Sequence, residues 1–239
     1  MLMAVKKPAT AAAAQPATPK ARRPRPADGA ASTREALIRE AMKLYSERSI
    51  GAVSLREIVQ KAGQANQSAI HYHFNDRQGL VEAIADFVRQ RFEPHFDEAL
   101  AMVAERQRDG SLNNEHLVEA LVMPVIRVFH TDQTGRDAIR FIARLAADGD
   151  DFGQALLLKQ VASFLVAMEA QFAARMPDKP RDKLQLQLLL GLSSTIYGLT
   201  VIGSLRHAPF DGHAPLYTGR FDDLIRDYVH FVGRGLLGA

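Results

Sequence analysis

From Ser32 onward, large apolar side chains recur at three- and four-residue intervals, the spacing of helices that bury one face. Leu37, Ile38, Ala41, Met42, Leu44 and Tyr45 set a first helix over about Thr33–Arg48. Ser32, with Glu35 three positions later, predicts a capping box at its start. Ser54 and Glu57 repeat that spacing ahead of a short helix over Leu55–Ala62, and Gly63 supplies the turn that ends it. A third helix over about Gln67–His73 is followed by Asn75, whose side chain is expected to cap a fourth helix from near Asp76. That helix runs toward Arg106, with a bend expected at Pro94. Asn114–His130, interrupted at Pro124, comes next, followed by Arg136–Ala147, Phe152–Arg175, Arg181–Arg206 and Arg220–Leu237. Clusters of Gly, Pro and Asp separate them. No alternating apolar and polar run bounded by turn signals occurs, so the expected fold is all-α, and no internal repeat is present.

Composition adds a boundary to this pattern. Apolar residues make up 47% of the 239 residues, enough for a sizeable core. Residues 1–31 consist mostly of Ala, Pro and basic residues, so they cannot offset their ordering entropy and are expected to be a disordered arm. Lys6, Lys7, Lys20, Arg22, Arg23 and Arg25 against Asp28 leave a surplus of five positive charges there. The whole chain carries only +3, so the remainder is slightly acidic. A flexible cationic arm suits a polyanion, and equally suits a purely solubilising role. The short Ala11–Ala14 stretch between prolines is too weak for the apolar core of a secretory signal. The absence of cysteine removes disulfides, thiolate nucleophiles and cysteine metal sites, and fits a reducing cytoplasm.

Three short capped helices within about 45 residues, the second and third joined by a glycine turn, describe a helix-turn-helix. The residues say more. Ala41-Met42-Lys43-Leu44-Tyr45-Ser46-Glu47-Arg48, then Val53-Ser54-Leu55-Arg56-Glu57-Ile58-Val59, then Ala62-Gly63, then Ile70 through Phe74-Asn75-Asp76-Arg77-Gln78-Gly79-Leu80 together resemble the tetracycline-repressor (TetR) family. The resemblance spans roughly residues 33–85. It departs from the family at Ser49, where a glycine usually ends the first helix, with Gly51 two positions on. One extra residue lies between Gly63 and Phe74, placed here at Gln64, with Asn66 as cap of the third helix. The resemblance implies a DNA-binding domain over residues 32–80 and a helical ligand-binding and dimerisation domain over 81–239. It also implies a homodimer through the last two helices, a palindromic double-stranded operator and release by a small effector, with repression as the family's tendency.

The candidate DNA-contacting residues follow from chemistry as well as from the resemblance. Asn66, Gln67 and Ser68 open the third helix, where short polar side chains reach base edges in the major groove. Ala69 can touch a thymine methyl, and His71, Tyr72 and His73 offer ring donors to phosphate. Ser54 can present its hydroxyl and a helix N-terminus to a phosphate, or serve only as a cap. Arg34 and the arm's Arg22, Arg23 and Arg25 are further candidates, with an adjacent minor groove as the arm's expected site. By the resemblance, Arg77 matches the family's phosphate-binding cation. His71 and His73 lie two apart and so do not form a metal pair on one helix face.

In the C-terminal region, Gly191, Ser194 and Gly198 are small enough for close helix approach, and with Phe221, Leu224 and Tyr228 they form the expected dimer face. The 18 uncharged positions from 188 to 205 approach the length of a membrane span. Their six hydroxyl residues fit a dimer helix better, so no membrane is expected. Met123, Phe129, His130, Phe141, Arg144, Phe164, Met168 and Phe172 are the candidate effector-site residues. Apolar and aromatic members of that set line pockets and fill ordinary cores alike. A largely apolar effector is expected, with Arg140, Arg144 or His130 for a polar end. Asp148-Gly149-Asp150-Asp151 lacks the ligand spacing of a calcium loop, so neither metal nor cofactor is expected; the cluster is expected to cap the helix from Phe152. Neither a Gly-rich phosphate loop nor a catalytic motif appears, which argues against the rival readings of an enzyme. A helical interaction module without a DNA role is the third reading.

Overall fold

The computed structural model describes residues 26–66, 68–148, 151–201 and 221–237, and its regular elements there are all helical. In chain order they are α1 (Pro26–Glu47), a 3-10 turn (Ile50–Ala52), α2 (Leu55–Lys61), α3 (Ser68–Phe74), α4 (Arg77–Arg108), α5 (Asn114–Thr131), α6 (Gln133–Ala147), α7 (Asp151–Arg175), α8 (Arg181–Val201) and α9 (Phe221–Leu237). The arm's Arg22, Arg23 and Arg25, and any continuation of α8 beyond Val201, lie outside the described residues.

Helix ends depart from the sequence expectation for local reasons. α1 begins at Pro26, so Ser32 lies inside the helix and the capping box expected there does not form. Proline suits a first helical position, and the alanines that follow favour propagation. At α2, the Ser54 side chain accepts from the Glu57 N–H at 3.1 Å. The Glu57 carboxylate pairs with Arg48 at 2.5 Å, and Ser54 alone acts as the cap. Gly63 closes α2 with φ +69. The Gln64 N–H donates to the Val59 carbonyl and the Gly63 N–H to the Gln60 carbonyl, a Schellman pair that needs this left-handed residue. The cap of α4 is Asp76, which accepts from the Gly79 N–H at 2.9 Å, rather than Asn75. Asn75 instead takes φ +67 and turns the chain between α3 and α4, a conformation asparagine tolerates.

The expected interruption at Pro124 is absent: α5 continues through it, and α4 through Pro94. Proline removes one helical hydrogen bond, but Pro124 is buried among α5 residues fixed in the core, and packing carries the helix past it. α6 begins at Gln133, three residues early, because Asp132 caps it at 2.6 Å through the Gly135 N–H.

Among the described residues, a hydrophobic core runs from α1–α4 into the C-terminal helices. Leu37, Tyr45, Ile58, Ile70 and Leu80 are fully or almost fully buried. Each such aliphatic side chain contributes about 1.5–3 kcal/mol relative to exposure. α1 packs along α6 as well as α4, and α4 lies against α5 and α7. Tyr45 stacks on Phe141 of α6, with ring centroids 6.4 Å apart. α7 and α8 are joined at the buried Glu169, which accepts from Arg181 at 2.6 Å and Gln185 at 2.9 Å.

Candidate functional site

α3 is seven residues long and held by two side chains. Ile70 and Phe74 are buried, while Ser68, His71 and Tyr72 face outward, Tyr72 with 79% of its surface exposed. Asn66 accepts from the Ser68 N–H at 3.0 Å through its side chain, and its carbonyl accepts from Ala69 at 3.2 Å. Asn66 thus fixes the start of α3 while itself exposed. Gln67 lies outside the described residues. His71 Nδ1 lies 2.6 Å from the Asn75 carbonyl and donates to it, so Nε2 remains for an outside partner. Tyr72 meets His73 edge-on at 4.8 Å. Burial, reinforced by Arg34, pushes the His73 imidazole below its ordinary pKa, which favours the neutral ring. Arg34 is exposed, and its guanidinium sits 5.3 Å from the Phe74 ring centroid. Ala69 is half-buried and Ser54 exposed.

Arg77 is placed differently from the expected phosphate contact. Its Nη1 donates to the carbonyls of Ile50 and Val53, both at 2.6 Å, and to the Tyr45 hydroxyl at 3.3 Å. The cation therefore ties α4 to the turn ahead of α2. The turn is held from its other side by Asp148, at the end of α6. The Asp148 carboxylate accepts from the Ile50 N–H at 2.9 Å and from Ser49 Oγ at 3.0 Å. Asp148 was expected to belong to a cap for α7; Gly149 and Asp150 of that cluster lie outside the described residues. Among the described residues, no group of three metal-ligating side chains gathers.

A largely apolar cavity of about 300 Å³ lies between α4, α6, α7 and α8. Phe92 and Phe96 of α4, Phe141 of α6, Val161 of α7 and Ile196 and Tyr197 of α8 line it. Among the expected effector residues, Phe141 alone does so. Phe129, Phe164, Met168 and Phe172 are buried in the core, Met123 is half-buried, and His130 is exposed. Phe164 illustrates why: it stacks on Phe96 at 4.2 Å and so forms the layer behind the wall. Arg144 lines a separate cavity of mixed polarity. The repeated phenylalanines of α4, four apart, were a signal for the wall, since that spacing places both on one face.

The small residues of α8 are used within the subunit. A Cβ on Gly191 would come 3.3 Å from Val232 Cγ1, and Gly198 faces Tyr228. Ser194 Oγ lies 3.0 Å from the Tyr228 hydroxyl. Leu224 is half-buried, and the Phe221 side chain lies outside the described residues. Close α8–α9 packing thus accounts for Gly191 and engages Ser194, while Gly198 leaves room for a Cβ. Leu186 and Leu190 of α8 and Phe231 of α9 are exposed apolar side chains. α7 and α8 are long and apolar enough to cross a membrane by length and composition alone. Their Phe164, Met168, Leu188 and Thr195 nonetheless pack into the protein core.

The short α2 and α3 with their glycine turn, and the exposed outer face of α3, have the arrangement of a helix-turn-helix. Residues 37–84 match the family described as bacterial regulatory proteins of the tetR family, and residues 119–234 match the tetracyclin repressor-like C-terminal domain. The chain belongs to the TetR family of transcriptional regulators. It is 34% identical over 112 residues to the HTH-type transcriptional dual regulator CecR of Shigella flexneri, covering 45% of this chain and 48% of that protein. It is 30% identical over 104 residues to the HTH-type transcriptional repressor BepR of Brucella suis biovar 1 (strain 1330), covering 44% of this chain and 46% of that protein. The chain thus spans about half the length of the curated relatives it matches.

Proposed function

We propose that this chain is a ligand-responsive repressor that binds a palindromic operator as a homodimer and releases it when a small effector fills the apolar cavity. The observation that carries the reading is α3: a short helix anchored by Ile70 and Phe74 that turns Ser68, His71 and Tyr72 to the outside. Such a polar, aromatic face suits base edges and phosphates in a major groove. Residues 32–80 form the DNA-binding unit and residues 81–239 the effector and dimer unit. Leu186, Leu190 and Phe231 supply the apolar surface for a two-fold contact through α8 and α9. That symmetry sets two copies of α3 about 34–36 Å apart, one turn of DNA. One relative is named a repressor and another a dual regulator, so repression is the chosen reading. Such a regulator works in the cytoplasm, where its DNA lies.

Release is a population shift. The effector must prefer the conformer whose α3 helices are misplaced for DNA. A hundredfold loss of operator affinity requires about 2.7 kcal/mol of coupling. Two helices connect the cavity to the DNA unit. α4 carries Phe92 and Phe96 on the cavity and Arg77 on the Ile50 turn. α6 carries Phe141 on the cavity and Asp148 on that same turn.

The test is a gel shift against a genomic fragment library and the region upstream of the chain's own gene. Sequence-dependent binding that weakens steeply with salt is expected, and Tyr72→Ala should weaken it while leaving the melting temperature within experimental scatter. No shift with any fragment at low salt overturns the proposal.

A further inference from the structure

The apolar cavity has a neighbour that holds two arginines. Across Tyr197, a second cavity of about 370 Å³ opens between α1, α6 and α8, with Ser46, Arg140, Arg144, Tyr197 and Thr200 in its walls. Tyr197 lines both cavities. Arg140 and Arg144 stand one helical turn apart on α6, so their guanidiniums share a face. The hydroxyl hydrogens here are already committed: Ser46 donates to the Lys43 carbonyl at 2.7 Å, Thr200 to the Tyr197 carbonyl at 2.7 Å and Tyr197 to the Ala143 carbonyl at 3.2 Å. The cations are not. The Arg144 guanidinium has no hydrogen-bond or ion-pair partner among the described residues, and Arg140 reaches Asp137 only at 3.8 Å. Asp137 is itself engaged by the Gln133 amide at 2.7 Å. No acidic side chain lines this cavity among the described residues.

We propose that the effector is an amphipathic anion whose apolar body lies beside Phe92, Phe96 and Phe141 and whose single anionic head passes Tyr197 to pair with Arg144 and Arg140. The proposal rests on reading the apolar cavity as the effector site and names the chemical class that site takes. Guanidinium forks bind a carboxylate or similar oxyanion through paired, charge-assisted hydrogen bonds. The rival cation in the apolar cavity, Arg89, is paired with Glu93 on its own helix. The location also supplies the regulation. A head in this cavity touches Ser46 of α1 and sits one turn ahead of Asp148, whose carboxylate holds Ser49 and Ile50. An uncharged molecule with the same body fills the apolar cavity and leaves that junction untouched.

Isothermal titration with sodium decanoate and with decan-1-ol tests this, because the two probes share a body and differ in the head. Wild-type protein is expected to bind decanoate about tenfold or more tightly than the alcohol, a ratio worth about 1.4 kcal/mol. Arg140→Gln combined with Arg144→Gln should bring the ratio near one, with the alcohol reporting that the cavity is intact. Arg144→Lys, which keeps a charge, should retain an intermediate preference and serves if the double variant fails to fold. A preference that survives the double variant, or an alcohol that binds wild type as tightly as decanoate, overturns the head assignment alone. If neither probe binds wild type, the effector-cavity reading fails and this proposal with it.

Discussion

Replacing Arg77 by methionine separates two roles that the residue type alone leaves equal. Methionine keeps most of the aliphatic stem and deletes the guanidinium. The loss removes two donations at 2.6 Å, to the Ile50 and Val53 carbonyls, and a longer one to the buried Tyr45 hydroxyl. Hydrogen bonds from a charged donor are worth about 1.5–3 kcal/mol each. Arg77 is half-buried and so is Ile50, and water recovers part of the loss, so the net cost is about 2–4 kcal/mol. In a chain of this size each kcal/mol moves the melting temperature by about 2–4 °C, so a fall of about 4–16 °C is expected. Urea and thermal melts of wild type and variant at matched protein concentration measure it, since the proposed dimer would make the midpoint depend on concentration. A phosphate contact on an exposed surface predicts the opposite pattern. Stability would then stay within about 0.5 kcal/mol, and the salt slope of DNA binding would fall by about one unit. That result would refute the clamp.

Gly63→Ala should cost about 1 kcal/mol by urea unfolding, because φ is +69 and the penalty is conformational: no atom lies within 4 Å of the added methyl. Asp132 offers a pH test. The Gly135 N–H, and after it Arg91 at 2.8 Å, hold its carboxyl below the ordinary range despite some opposing desolvation. Its stabilisation is therefore complete above the unfolded carboxylate pKa of about 4 and disappears as pH falls through the lower native value. Asp132→Asn should be less stable than wild type at neutral pH by under about 1 kcal/mol, since the pair is half-exposed, and the gap should close in acid. A constant gap across the titration would remove the carboxylate from the account.

Much of this molecule was legible in its residues because the governing interactions are local. The three- and four-residue spacing around Leu37, Ile38 and Ala41 needs only the helical period, and the Ser54 cap and Gly63 turn need only their neighbours. The Tyr45, Gly63 and Phe74–Leu80 anchors carried the family resemblance for the same reason. Errors arose where a local rule met a longer context. Ser32 carries a capping signature, yet helix already precedes it; Pro124 can break a helix, yet the core carries α5 through.

What the tertiary structure decided is the direction of side chains and the position of empty space. Arg77 looks like a surface cation in sequence, and only the approach of the Ile50 turn supplies the carbonyls that draw it inward. Phe164 and Phe96 are alike in type, but one backs the cavity and the other lines it, a difference made by which helix stands in front. Asp148 meets Ser49 across 99 positions of chain. A linear pattern specifies which face of a helix is apolar; it does not specify what that face meets, because packing partners, voids and cross-domain hydrogen bonds depend on separations in space.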